Sequence, residues 1–496
     1  MKLSRVRAQA QKKEIGNILV GASDIQKGDL ISKEGPHGEV YRCLFKKSKT
    51  VVKYFTKSDS YQKVFKEETE TIKKVFHPNV LLIMGIVCEK NTTALIMESM
   101  KCNLYSVLYE PTKAPKALQK LSQLSKFKIL RDIAVAMSFI HSLAKVPHGN
   151  LKLTNILFDE SGKVKVGDYY YSKFRTPQKQ KGGYYICGSE GNNAYQAPEV
   201  WLNGTQPDMP ADVYSFALII IEFLSERNSF YGDADTSDDE SIFEAIKAKT
   251  PVSIPDNFSD SLKKILTKCT SYDPKQRPAM ENVLGAFDSI VVESTMTSKE
   301  AIEFWVEHFT DGDVPLFEVS YDDVMFVLDD TVLADVDESD KEMIKEELAP
   351  LFPENGIVTA VDFDNVENWF GEFFNDYQII EEMRDVVMAP FFGGLIDKKV
   401  AEGKLSGKAD GYFLIRMSFT DAKKTPFTLT RNAKGAARHH RIERLSYEFG
   451  KPRYQIVIEN KKITAQSVGG LIEALTAKGY ISTPDDGIEA SNYGEA

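Results

Sequence analysis

Arg416 is the most conspicuous candidate for chemistry in this chain. It closes the apolar run "YFLIR", and alternation from Leu414 points it inward. A buried guanidinium needs an anionic partner, and no acidic residue falls in the strand pattern around it. An incoming phosphate would satisfy it. A second candidate lies in "KEGPHGEVYRCLFKKSKTVVKYF", which has a strand–turn–strand rhythm, glycines at 35 and 38, and Lys53 in an alternating, β-branched segment. Glycine lets backbone N–H groups approach a phosphate closely, although any hairpin can use such a turn. A third is "HGNLKLTN" at 148–155, where Asn150 offers an amide that donates and accepts hydrogen bonds but takes no proton at pH 7. A fourth, "DVDESDKEMIKE" at 335–346, sets Asp335, Asp337, Ser339 and Glu346 at positions 1, 3, 5 and 12 of a calcium loop. Asp340 then occupies the sixth position, where glycine is needed, so a solvated acidic helix start is the better account.

The elements that must position these groups follow from periodicity. "FKEETETIKKVFHPN" (65–79) reads as a helix carrying Glu68, and "ALIMESM" (94–100) as a buried strand ending in a polar step. Between 390 and 485 the pattern is a helix, three or four alternating strands and a last helix around "VGGLIEALTAKG". "AIEFWVEHF", "DKEMIKEELAPLF" and "VENWFGEFF" are helical pieces in between.

Length and charge bound the rest. The chain has 496 residues, which is too long for one ordinary domain, and 42% apolar with 27% charged residues is the composition of soluble globular protein. The longest apolar run, "FALIIIEFL", is short of a bilayer span and is interrupted by Glu222. The basic start "MKLSRVRAQAQKKEIG" lacks the apolar core of a secretory signal. Five cysteines without close pairing are expected to be reduced thiols in a cytoplasmic protein. Residues 293–388 carry 27 acidic and 4 basic side chains, against 45 and 58 in the rest. An acidic middle between two basic parts argues for three units and against nucleic-acid binding.

Read in order, "HGNLKLTNILFD", "VKVGDYYYSKF", "YQAPE", "ADVYSF" and "DPKQRP" resemble the eukaryotic protein-kinase family over about 265 residues. The resemblance implies a bilobal fold using ATP and Mg, with Gly35, Gly38, Val40, Lys53, Glu68, Met97 and Met100 around the nucleotide. Lys53 would hold the α- and β-phosphates with Glu68 as its partner, Met97 would be the gatekeeper, and Glu98 to Met100 the hinge. Asn155 and Asp168 would be the metal ligands, Lys152 a catalytic-loop residue, Glu199 and Arg277 an anchoring ion pair, and Asp212 a prop for the catalytic loop. Departures are equally plain. Lys33 replaces the first glycine of the lid, Pro36 stiffens its tip, Tyr170 stands at a glycine position, and Asn192 replaces a threonine. Asn150 takes the place of the Asp that accepts the substrate proton, a contribution of about 10²–10⁴-fold. The "HGN" form resembles the kinase-homology domain of receptor guanylyl cyclases and the pseudokinase domain of Janus kinases, both regulatory.

"FFGGLI" and "GYFLIRMS" in turn resemble the SH2 domain. That implies phosphotyrosine gripped by Arg416, with Ser418 and the loop "FTDAKKT" completing a cage, Lys398 and Arg441 flanking the ring, and His439 as the fourth-strand histidine. His439 and His440 are adjacent, so one must face away, and neither has ligand spacing for a metal. "WFGEFF" resembles the EF-hand-like linkers that precede SH2 domains elsewhere.

The expected architecture is multidomain α+β: a basic arm (1–23), a protein-kinase-like unit (24–290), an acidic helical spacer (291–389), an SH2 domain (390–485) and a tail (486–496). This order resembles the SH2-bearing kinases of social amoebae. The expected function is a phosphotyrosine-targeted pseudokinase that binds ATP and acts as a scaffold or switch. The competing expectation is an active serine/threonine or dual-specificity kinase recruited by its SH2 domain. Expected partners are tyrosine-phosphorylated proteins, membrane-associated ones included, and a regulated kinase or other signalling protein. No transmembrane segment is expected.

Overall fold

A computed structural model describes residues 18–484, apart from 34–37, 56–62, 64–71, 73–74, 90–91, 170–175, 188–192, 312–313, 419 and 449–450. Gly35, Pro36, Glu68, Tyr170 and Asn192 lie outside the described residues. The chain divides into two compact units between Val291 and Val292. Among the described residues no helix is long and apolar enough to cross a membrane.

The first unit is mixed helix and sheet. Strands β1 (Ile25–Lys33), β2 (Glu39–Phe45), β3 (Ser48–Tyr54), β4 (Ile83–Glu89) and β5 (Thr92–Glu98) form an antiparallel sheet in the order β1-β2-β3-β5-β4. Alternation buries Val52 together with Cys43, Phe45, Val87, Ala94 and Ile96 on one face. Gly38 opens β2 with φ +113°, and a Cβ there would lie 1.8 Å from the Tyr54 carbonyl oxygen. Only glycine fits. After β6 (Cys102–Asn103) and α1 (Leu104–Tyr109) the unit becomes helical: α2 (Gln123–Phe139), α3 (Pro198–Asn203), α4 (Met209–Ser225), α5 (Asp239–Lys247), α6 (Asp260–Cys269) and α7 (Met280–Thr295). Strands β7 (Ile156–Phe158) and β8 (Val164–Val166) join β6 in a small sheet, and β9 (Gln178–Lys179) pairs with β10 (Tyr185–Ile186).

Helix α4 explains how that half is centred. Asp208 caps it by accepting from the Ala211 N–H, and residues 211–223 are all buried. A helix buried on all sides is a core helix, and its polar residues Asp212 and Glu222 are hydrogen-bonded.

The second unit begins with helices. α8 (Lys299–His308) leads through the short pair β11 (Thr310–Asp311) and β12 (Val314–Pro315) to β13 (Glu318–Ser320) and α9 (Tyr321–Asp330). α10 (Glu338–Leu348) leads to β14 (Ile357–Thr359) and α11 (Ala360–Phe370). β13 and β14 pair antiparallel, and each runs into its helix through a matched capping box, Ser320/Asp323 and Thr359/Asp362. Two helix–strand–helix repeats therefore share one strand pair. Residues 335–346 supply the Asp337 cap and most of α10, and no cluster of His, Cys, Asp or Glu suited to a metal occurs among the described residues. α12 (Tyr377–Val387) follows.

A seven-stranded sheet completes the unit: β15 (Phe392–Gly394), β16 (Tyr412–Met417), β17 (Phe427–Ala433), β18 (Ala436–Glu448), β19 (Lys451–Ile458) and β20 (Lys461–Ala465) in sequence order, with β21 (Thr483–Pro484) on β16. α13 (Lys398–Leu405) and α14 (Val468–Ala477) flank it.

Candidate functional site

In the first unit Lys53 comes from β3, opposite Val40 on β2, with only 2% of its surface exposed. Its Nζ lies 3.4 Å from Asp168 Oδ1, and Asp168 holds φ +63°. A left-handed aspartate is sparsely populated and marks a position over-determined by its surroundings. A buried amine against a carboxylate beside an indispensable glycine fits a phosphate and a cation. Met97 is buried on β5, and Met100 follows half-buried. The Glu98 carboxylate is held by Lys165 at 2.7 and 2.8 Å and by the Leu82 N–H at 2.7 Å.

Asn150 sits on a loop that is fixed from below by Asp212. One Asp212 oxygen accepts from the Gly149 N–H at 2.8 Å, and the other from the His148 N–H at 2.7 Å. His141 Nε2 lies 2.9 Å from that second oxygen, carried there by a π-helical turn, Ile140–Ala144, after α2. His148 Nε2 donates to the Gly167 carbonyl at 2.6 Å while its Nδ1 accepts from the Asn150 N–H at 3.2 Å. Asn155 donates its amide to the Asn150 carbonyl at 2.7 Å, which leaves its side-chain oxygen as the acceptor. The Asn150 position is thus built, bonded directly to Asn155 and through His148 to Gly167, the residue before Asp168. Arg277 grips Glu199 with two bonds, 2.8 and 2.7 Å, in the fork geometry guanidinium favours.

Lys152, half-buried, lines the edge of a cleft of about 430 Å³ with Tyr105, Tyr109, Tyr195, Glu222 and Phe230. Tyr109 and Tyr195 each donate to Glu222 at 2.6 Å, and burial raises its carboxyl pKa despite those bonds. Sequence reasoning took Glu222 only as an interruption. A carboxylate inside the apolar run of a core helix was the signal.

In the second unit the register gathers the phosphate candidates on one face. Arg416 on β16 stands opposite Thr428 on β17, which stands opposite Arg441 on β18; two residues along, Leu414, Thr430 and His439 form the next row. Side chains two apart share a face. His439 therefore lies with Arg416, and His440 on the other side, where Arg431 reaches it at 3.5 Å. Arg416 Nε is buried without a hydrogen-bond partner, and its Nη1 makes one long bond, 3.5 Å, to the Met417 carbonyl. Burial lowers its pKa, Asp397 opposes the fall and Arg441 adds to it. Two guanidinium groups in one row of the sheet make a cationic patch that an anion would relieve. Lys398 is exposed and 3.7 Å from Glu402, which also meets His439 Nε2 at 3.0 Å. Ser418 is buried, its hydroxyl bonded to Thr428 at 2.8 Å.

Residues 33–286 match the protein kinase domain. The chain is 27% identical to dual specificity protein kinase shkE of Dictyostelium discoideum over 92% of its length and 65% of that protein's. It is 26% identical to shkD, covering 88% of this chain and 58% of that one, and 27% identical to shkC, covering 88% and 87%. The chain thus spans about three-fifths of the length of the first two.

Proposed function

The chain belongs to the protein kinase family, and on that premise we propose a phosphotyrosine-targeted signalling protein whose kinase domain binds ATP and serves as a scaffold or switch. The observation that carries this reading is an asymmetry within one network. The phosphate and metal positions, Lys53 and Asp168, remain in contact, while the position for proton acceptance holds Asn150 on an ordered loop. When bound, Mg–ATP supplies the phosphoryl group. The chain's own part is to hold it: Lys53 and the Gly38 backbone for phosphate, Asn155 and Asp168 for the metal, Val40, Met97 and Met100 for the base. Asn150 can orient a hydroxyl through hydrogen bonds but accepts no proton.

For residues 390–485 we propose an SH2 domain. Arg416 takes the phosphate, with Arg441, His439 and Lys398 around the ring. Ser418 completes the cage, its hydroxyl held in place by the bond to Thr428. The paired repeats of 291–389 support an EF-hand-like spacer. The boundaries 24–290, 291–389 and 390–485, a cytoplasmic location, and recruitment to tyrosine-phosphorylated partners belong to the same proposal.

A second reading, an active dual-specificity kinase, is favoured by the names of the relatives. One experiment separates the two. Full-length protein is titrated with Mg–ATP by thermal shift and tested for phosphotransfer, beside Lys53→Met and Asn150→Asp. A shift lost in Lys53→Met, with wild-type transfer far below about 1 s⁻¹, supports the scaffold. Ordinary kinase rates in the wild type overturn it. Asn150→Asp is expected to raise transfer by about 10²-fold, and only in part, because Lys33, Pro36 and Tyr170 remain.

A further inference from the structure

The loop between β16 and β17 is held by residues outside it at Ser418, Lys423 and Lys424, and the end of α11 also packs on Phe427, the first residue of β17. At its start the Ser418 carbonyl accepts from Trp369 Nε1 at 2.8 Å. In its middle the Lys423 carbonyl accepts from Arg444 Nη2 at 3.1 Å, and the same guanidinium donates to the Asn368 and Trp369 carbonyls at 3.1 and 3.3 Å. At its far end Phe427 meets Phe370 edge to face, with ring centres 5.5 Å apart. The Arg444 backbone N–H adds a bond to the Lys424 carbonyl at 2.8 Å. Trp369 and Phe427 are buried, so the indole bond and the ring contact are shielded from competing water, while the Arg444–Lys423 bond is exposed.

The arrangement has a direction. Carbonyl oxygens repel an anion, and the loop leaves β16 only two residues after Arg416. The Trp369 indole and the Arg444 guanidinium occupy the Ser418 and Lys423 carbonyl oxygens as donors, which offsets the negative ends of those peptide dipoles. Arg444 also neutralises the carbonyl end of α11, the end of a helix that attracts cations. The loop is thus held at Ser418, Lys423 and Lys424 before a phosphate arrives, and preorganisation lowers what binding must offset in entropy.

We infer that the end of α11 is part of the phosphate-binding apparatus: Trp369 and Arg444 are positioning residues that hold the 418–426 loop receptive, so that the acidic helical segment sets the affinity of the sheet for phosphotyrosine. This inference rests on the phosphotyrosine reading of Arg416.

The test uses the full chain and a fluorescein-labelled degenerate phosphotyrosine peptide library in fluorescence polarisation. Four proteins are compared: wild type, Arg416→Ala, Trp369→Phe, which keeps a ring and loses the N–H, and Arg444→Lys, which keeps the charge and loses the fork. Amide exchange over 418–426 and the melting temperature are measured on each. Expected results are strong binding by wild type, loss in Arg416→Ala, and roughly tenfold weaker binding in Trp369→Phe and Arg444→Lys. Faster exchange confined to 418–426, with other segments unchanged, accompanies the weakening. Binding by wild type that Arg416→Ala abolishes, with unchanged affinity in both positioning variants, overturns the inference and leaves the phosphotyrosine reading standing. No binding by wild type overturns both. Weakening that follows global loss of protection in every segment assigns Trp369 a structural role only, and also overturns it.

Discussion

Arg416 and Glu382 show two ways in which burial burdens a charge. Arg416 carries an orphaned buried Nε, so its replacement is informative for what it loses. Arg416→Ala is expected to lower phosphopeptide affinity by about 2–5 kcal/mol, and Arg416→Lys to recover only part, since an ammonium cannot reproduce the bidentate fork. Isothermal titration with a phosphotyrosine peptide checks both. Glu382, on α12, has its pKa raised to about 7 by burial, with Tyr454 and Arg444 opposing the rise. Its folded pKa lies above the 4.5 of an unperturbed glutamate. The stability linked to this proton is therefore present in full below pH 4.5 and lost as pH rises through about 7. Glu382→Gln should come close to wild type at pH 4 and exceed it at pH 8 by up to about 3 kcal/mol, measured by urea denaturation at both pH values.

At the scale of elements, the turn before β2 is the most constrained backbone in the first unit. Gly38→Ala must relieve both a positive φ and a Cβ aimed into the Tyr54 carbonyl. It is expected to destabilise by more than about 1 kcal/mol and to weaken the Mg–ATP thermal shift. This strand–glycine–strand, the Asn150 loop and the Arg416 strand were legible in the sequence because each confines its chemistry to one short run. His141 was not, since a π-helical turn rather than a motif brings it to Asp212. β13 and β14 are three residues each, too short for an alternating pattern, and their pairing shows only once the chain is folded. The link between Trp369 and Ser418 joins residues 49 apart, and its acceptor is a backbone carbonyl, which leaves no trace in residue type. The Ser418–Thr428 bond was not legible either, since it depends on β16–β17 register.

At the scale of the whole molecule, the acidic segment and the sheet that follow Val291 share one core. Phe370 and Trp369 are almost fully buried, with Phe427 and the Ser418 loop among their contacts. Burial of side chains this size contributes roughly 1.5–3 kcal/mol each. A fragment of residues 390–496 is therefore expected to be several kcal/mol less stable than one of 292–496. Chemical denaturation of the two fragments, followed by circular dichroism, checks this; equal midpoints would separate the sheet from the helices before it.

The indole bond to Ser418 also has an optical consequence. The chain contains three tryptophans, and Trp201 and Trp305 are sealed in cores, their N–H groups donating to the Gln196 and Leu316 carbonyls. Trp369 alone reports on the 418–426 loop, because its excited-state dipole sits against that loop's first carbonyl. Occupancy of the Arg416 face should appear as a change in intrinsic emission that Trp369→Phe removes, so the protein carries its own fluorophore for ligand occupancy and needs no label to be titrated.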